Sequence, residues 1–454
     1  MNARQRVVFV GGGYATLHAY QVLARRRRRE IRRGQLELVV TSADDHHSFH
    51  GFAGEVLAGA LPFSVTRASL RHAMPSATVI PGVVTHVDRD RQVVMYLRVG
   101  APGSGAVESL RYDELVVAPG GREPVQDVPG MAEHGFTLRS PGDVRRLLAR
   151  LVVLEHPSAG REPADLVVVG GGFAGVELAA ALAARPTTVR GRRVHLVHEG
   201  PAVLPQLRAG QPGLAQRAER ELDHLGVQVH CDVRAVAVSR RHVVLSDGRV
   251  LPAALVLATI GQRAVQLPGL ESLPTDDTGR LLTTPDLAVA PGIWAAGDVA
   301  RVNHPRTRTP VPANALWAIK AGDHLGRNLA RRVVGSRSTP FRYLGLGQAA
   351  SFGVGRGVAE LYGLPLTGRI AWVTRLLFFI RFMPSHANAV EALVFFVAGR
   401  SAVPSVAGSI SGPAPGVAPI RYAAVSTSSR PGAGRSVGRP ASPREPAEVR
   451  AEVA

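Results

Sequence analysis

Leu166-Val167-Val168-Val169-Gly170-Gly171-Gly172-Phe173-Ala174-Gly175 decides the fold, because a short apolar strand stops in glycine and restarts at once as a helix, Val176-Glu177-Leu178-Ala179-Ala180-Ala181-Leu182-Ala183. Gly170 makes the tight turn, Gly172 lets a phosphate approach the backbone, and Gly175 lets the helix pack closely on the strand. The unpaired N–H groups of the first helical turn, from Phe173 and Ala174 onward, face that phosphate. A second strand, Val194 to Val197, leads to Glu199, whose carboxylate is placed to accept hydrogen bonds from ribose hydroxyls. Strand, glycines, helix, strand and acid in this order predict a dinucleotide-binding fold. The Glu199 charge repels a 2′-phosphate, so NADH is expected rather than NADPH. Gly261, just past the apolar run Leu255 to Thr259, is counted with this site.

The same device stands 159 residues earlier. Arg6 to Val10 is the strand, Gly11 and Gly13 hold the first two glycine positions, and Tyr14 and Ala15 open the helix. Thr16 replaces the third glycine, and a β-branched residue there is expected to crowd helix against strand. After the next strand, Leu36 to Val40, Ser42 occupies the place of Glu199; either Ser42 and Asp44 share the ribose contact or this site is the weaker of the two. Further on, the apolar run from Ile293 ends in Gly297-Asp298. Asp298 reads as a hydrogen-bond partner for the ribityl chain of a flavin, or as a plain helix N-cap. A chain with two cradles is built to move electrons between two nucleotides, here NADH and FAD.

With these residues in place the chain resembles a family. The first cradle, Tyr112-Asp113-Glu114-Leu115-Val116-Val117-Ala118-Pro119-Gly120, the second cradle and Ala296-Gly297-Asp298 follow the order of the two-dinucleotide-fold flavoprotein disulfide reductases. The closer likeness is to type II NADH dehydrogenases, single-chain NADH:quinone oxidoreductases that pump no protons. Glu55-Val56-Leu57-Ala58-Gly59, Gly175-Val176-Glu177-Leu178 and Phe341-Arg342-Tyr343 carry it, over roughly residues 5 to 400. The resemblance implies an α/β fold of two Rossmann-like domains, three-layered with parallel sheets and a β-meander, and the NADH domain inserted in the FAD domain. It counts Ala118, Pro119 and Gly120 with the flavin contacts and makes Glu177 a catalytic candidate. That carboxylate would orient the nicotinamide or relay a proton; a first-turn acid complementing the helix dipole is the plainer reading. Quinone is the implied acceptor. The family's paired glutamines fall on Leu316 and Lys320, so the acceptor contacts expected here are Asn314, Leu316, Trp317 and Lys320. Lys320 would stabilise a reduced, anionic acceptor or flavin, or is simply solvated.

Composition narrows the chemistry. Cys231 is the single cysteine, so an internal disulfide and a Cys-x-x-Cys relay are excluded and electrons must leave the flavin directly. Cys231 itself reads as a strand residue. The net charge of +19 falls to +16 once six Arg and three Glu beyond residue 400 are set aside. Lys320 is the only lysine, and no basic-aromatic interleaving suggests nucleic acid. An anionic membrane surface suits such a body better. The cluster Arg25 to Arg33 reads as helix-end charge or as a contact for membrane or an acidic partner. His46, His47 and His50 lack regular ligand spacing, so no metal is expected.

Gly368 to Met383 pairs a broad apolar face with Thr374, Arg375 and Arg381 bunched on the other, too short to span a bilayer. It and Ala387 to Val397 read as amphipathic helices lying on the membrane, or packed on the body or on a second copy in a homodimer. The expected map is an FAD domain at 1–135 and 281–345, an NADH domain at 136–280, a membrane-associating region at 346–400 and a disordered tail at 401–454. With no secretory signal, the expected place is peripheral, on the cytoplasmic side of the cell membrane. Two rivals stand: a soluble NAD(P)H-dependent flavin reductase with a protein or small-molecule acceptor, and a non-catalytic NAD(H) sensor without FAD.

Overall fold

The computed structural model describes residues 4–100, 105–155, 165–187, 189 and 191–398. The tail expected from residue 401 lies wholly outside these residues.

Two sheets, one mixed and one all parallel, organise the described chain. The first has eight strands in the spatial order Ala288–Ala290, Ile293–Ala295, Glu114–Val117, Gln5–Val10, Leu36–Ser42, Thr78–Asp88, Val93–Arg98 and Val107–Arg111. Its central strands run parallel, and the last three form an antiparallel meander. Val7, Val8, Phe9 and Val10 are all buried, as a strand covered on both faces requires. The second sheet is all parallel, in the order Gly135–Phe136, Leu255–Ala258, Leu166–Val169, Val194–Val197 and Val227–His230. Leu166 to Val169 sits at its centre and is likewise buried throughout. In sequence, the strands of the second sheet fall between Glu114–Val117 and Ala288–Ala290 of the first.

Two helices carry the first cradle. Tyr14–Arg26 and Ala315–Arg332 pack so closely that a Cβ on Gly322 would stand 2.4 Å from the Ala15 carbonyl oxygen, and one on Gly326 2.4 Å from that of Ala19. The crowding expected at Thr16 does not disturb this arrangement. Thr16 is fully buried, yet Gln5–Val10 keeps both parallel neighbours and the helix starts at Tyr14.

The C-terminal segment is an antiparallel sheet, Gly347–Ser351, Gly357–Leu361 and Leu364–Thr367, followed by helices Gly368–Phe382 and His386–Ala398. These helices join a core with Phe49, Phe52, Val56 and Leu61. The first is turned opposite to expectation in one respect. Arg375, read as part of the polar outer face, is 4% exposed, whereas Ile370, Val373 and Leu377 are 67%, 42% and 59% exposed. Two carboxylates, buried Glu55 and half-buried Glu177, draw the guanidinium inward. Among the described residues no helix is long and apolar enough to cross a membrane.

Candidate active site

The two cradles share one geometry. Gly11 has φ +102°, and a Cβ there would stand 2.2 Å from the Ala118 carbonyl oxygen; Gly170 has φ +116° and the same clearance, 2.2 Å, from that of Thr259. Only glycine fits either corner. In each, the carbonyl belongs to the residue just past the neighbouring parallel strand. Gly175 is tighter still, at 1.7 Å from the Gly170 carbonyl oxygen. Thr259 braces that turn by donating its hydroxyl to the Val169 and Gly170 carbonyls at 2.8 and 3.1 Å.

Both helix N-termini are left open. Gly13 and Gly172 cap them without a side-chain hydrogen bond, and neither first turn carries an acid. A Cβ on Gly13 or Gly172 would meet nothing within 4 Å. Space, free N–H groups and positive dipole ends together fit a pyrophosphate at each cradle. Glu199 stands exposed beyond the second, and Gly261 is open with φ +85°. Ser42 and Asp44 part company at the first. Ser42 is 9% exposed and tucked against Gly12, while Asp44 is exposed.

A roof closes over the first cradle. Tyr14 lies edge-on to His47 at 4.7 Å and accepts the His50 N–H at 2.9 Å. His47 donates Nδ1–H to the Gly12 carbonyl at 3.0 Å, and burial holds its imidazole down at about 4, so it is neutral at pH 7. His46 pairs with Asp45 and His50 with the Leu138 carbonyl. Among the described residues no group of His, Cys, Asp or Glu is arranged to hold a metal ion. Gly297 (φ +79°) and Gly120 (φ +84°) bring two backbone turns alongside, and Asp298 faces Arg139 at 3.6 Å. Arg139 is the residue sequence reading missed. Its Nε and Nη2 are buried without a hydrogen bond, beside Asp298 and Glu123. Its two unused donors are free to hydrogen-bond a group bound beside Asp298.

Glu177, one turn into the second helix, meets the C-terminal segment. Its carboxylate accepts the Ser351 N–H at 2.6 Å and pairs with Arg375 Nε at 3.0 Å. Arg375 also donates to Glu55 at 2.7 Å and to the Gly51 carbonyl at 2.8 Å. Burial raises the Glu177 carboxyl to about 7 against the pull of Arg375, with Glu55 adding to the rise. The reading of Glu177 as a first-turn acid complementing the helix dipole gives way to an ion cluster in which Arg375 and Glu55 are buried and Glu177 is half-buried.

The expected acceptor residues divide between two faces of Ala315–Arg332. Asn314 and Trp317 line a pocket with Gly297, Asp298 and Val311. Asn314 is engaged as the helix N-cap, accepting the Trp317 N–H at 3.0 Å, so its amide oxygen serves the helix. Leu316 is half-buried. Lys320 turns toward the C-terminal helix, its Nζ 5.3 Å from the centre of the Phe382 ring and 6.0 Å from that of Tyr343.

Comparisons with known proteins agree with this geometry. A family model described as pyridine nucleotide-disulphide oxidoreductase matches residues 5–322. A demethylphylloquinone reductase of Synechocystis is 29% identical over 400 residues, covering 85% of this chain and 93% of that protein. An NADH dehydrogenase-like protein of Mycobacterium tuberculosis is 32% identical over 308 residues, covering 65% and 72%. Among solved structures, the NDH2 of Plasmodium falciparum in complex with NADH matches with a TM-score of 0.77 at 14% identity, over 88% of this chain and 99% of that one, a likeness of fold. The chain belongs to the pyridine nucleotide-disulphide oxidoreductase family and, within it, to the type II NADH dehydrogenases.

Proposed function

We propose that this chain is an FAD-dependent enzyme that takes hydride from NADH and delivers two electrons to a quinone without pumping protons. The observation that carries this reading is the pair of matched, uncapped cradles, the second of which leads to Glu199. Residues Gly11, Gly13, Tyr14 and Ala15 would hold the FAD pyrophosphate, with Ala118 to Gly120, Gly297, Asp298 and Arg139 around the rest of the cofactor. Gly170, Gly172 and Gly175 would hold the pyrophosphate of NADH, and Glu199 its ribose. Bound flavin supplies the two-electron chemistry; the protein supplies orientation and electrostatics. Glu177, held by Arg375 and the Ser351 N–H, would orient the nicotinamide carboxamide. Its elevated pKa lets it donate or accept near neutral pH.

The acceptor is read as a quinone because two relatives carry quinone reduction in their names, the Synechocystis reductase and a 25% identical type II NADH:quinone oxidoreductase of M. tuberculosis. We assign the outward apolar residues of the C-terminal helices to the membrane surface, on the cytoplasmic side where NADH is made. A second copy on the same face is the competing occupant. Purified protein tests the reading directly. Flavin absorbance in the visible spectrum and NADH oxidation dependent on a short-chain quinone are expected. Colourless protein with an intact fold, or yellow protein that oxidises NADH while ignoring quinones, would overturn it.

A further inference from the structure

A row of titratable side chains crosses the second sheet, and the proposed hydride transfer uses none of them. Asp165 stands just before strand Leu166–Val169, His195 lies in Val194–Val197, His230 ends Val227–His230, and Arg249 follows the Asp247-Gly248 turn. Asp165 and His195 are each 2% exposed, and His230 is half-buried. The His195 ring reaches Asp165 Oδ2 through Nε2 at 3.0 Å and His230 Nε2 through Nδ1 at 3.0 Å. The two rings stack with centres 5.2 Å apart. Beyond them, Arg249 Nη1 meets His230 Nδ1 at 3.3 Å, while its Nε is held by Asp247 at 2.6 Å.

Donor and acceptor parity fixes every proton in this row. A guanidinium can only donate, so His230 Nδ1 must be bare and accept from Arg249. The His230 proton then sits on Nε2 and goes to His195 Nδ1, which leaves the His195 proton on Nε2 for Asp165. Both rings are neutral in this arrangement. Burial first, then His195 and Arg249, push the His230 imidazole below its ordinary value. Burial would raise the Asp165 carboxyl, but His195 and Arg193 hold it low, so it stays an anion. One further proton has no free place. On His230 Nδ1 it confronts the Arg249 N–H, and between the rings it sets two donors against each other. The Arg249 link is the longest of the three, and its side chain is 51% exposed, so it is the one that yields to water.

The other charges at the row are Arg192 and Arg193 beside Asp165, and Asp247 beside Arg249. His242, on the same hairpin as Arg249, is engaged by the Ser239 hydroxyl at 2.9 Å. We propose that His195 and His230 form a proton-operated latch: with both rings neutral, Arg249 fastens its turn to the parallel sheet, and uptake of one proton from water at His230 Nδ1 releases it. The His230 carbonyl also accepts the His198 N–H at 2.8 Å, which ties the same strand end to the residue before Glu199.

Full-length protein carrying ¹⁵N-labelled histidine reads the tautomers directly, and at pH ~8 both rings should carry their proton on Nε2. Arg249→Gln replaces an obligate donor by an amide that can turn its oxygen to Nδ1–H, so the pair should bind its proton ~3-fold or more tightly than in the wild type. Exchange of the Leu245 and Gly248 amides, corrected for its intrinsic pH dependence, should quicken ~10-fold or more from pH ~8 to ~5 in the wild type. In His230→Gln, which still offers an N–H to His195 but no acceptor to Arg249, that exchange should be fast at both values. His242 is present in both proteins, so its own titration cancels. A proton on Nδ1 of either ring at pH ~8 in the unaltered protein overturns the latch. So does equal proton affinity in wild type and Arg249→Gln, or a turn whose corrected exchange ignores pH or follows it equally in His230→Gln.

Discussion

Burial and Arg375 pull the Glu177 carboxyl in opposite directions, and burial prevails, raising it from its ordinary 4.5 to about 7. The folded chain then binds more protons than the unfolded one between those values. Stability from this group is therefore fully present below about 4.5 and falls as pH rises through about 7, by about 1–3 kcal/mol. Glu177→Gln removes the titration. Thermal melts of the two proteins should show the variant gaining on the wild type from pH ~5 to pH ~8; parallel curves across that range would refute the assignment. His47 has the opposite sense, its stability contribution being lost as pH falls from 6.5 to about 4; both proteins carry it, so it cancels in the comparison.

At the scale of elements, the flavin cradle depends on how closely two helices meet. Gly322 and Gly326 allow Ala315–Arg332 to ride on the carbonyls of Ala15 and Ala19, and those are backbone atoms that cannot swing aside. Gly322→Val should cost about 2–4 kcal/mol and reduce the flavin retained after gel filtration, because Ala15 belongs to the first turn of the cradle helix. Arg327→Ala, exposed on the same helix, should do neither. Flavin retention equal in the two variants would show that the cradle tolerates a shifted helix. Both cradles were legible in sequence because strand, glycine and helix are neighbours in the chain. The contact through Gly322 was not, since Ala15 lies some three hundred residues away. Asn314 carried a readable signal, an N-cap residue at a helix start, that a search for acceptor contacts overrode. Arg375 shows the same limit. Charge periodicity places it among the polar residues of its helix, but only folding brings Glu55, 320 residues earlier, within reach.

For the whole molecule, the outward side of the C-terminal helices is apolar beyond what a soluble surface needs. Ile370, Leu377, Val390, Val394 and Val397 are 67%, 59%, 63%, 53% and 80% exposed. Paired substitution of Ile370→Glu and Leu377→Glu should lower co-sedimentation with anionic vesicles by ~10-fold or more while leaving flavin content unchanged, since each buried aliphatic side chain contributes ~1.5–3 kcal/mol. Unaltered co-sedimentation, with a change in oligomeric size instead, would give the face to a second copy. The inward side of the same helix carries the larger consequence. Arg375 ties that helix at once to Glu55, near the flavin cradle, and to Glu177, on the NADH-cradle helix. Pulling the helix away would part the guanidinium from both carboxylates at once. On the membrane reading proposed above, that contact would be a keystone, not a leash: the enzyme would arrive at and leave the bilayer whole, with both nucleotide cradles already tied to the helix that meets the lipid.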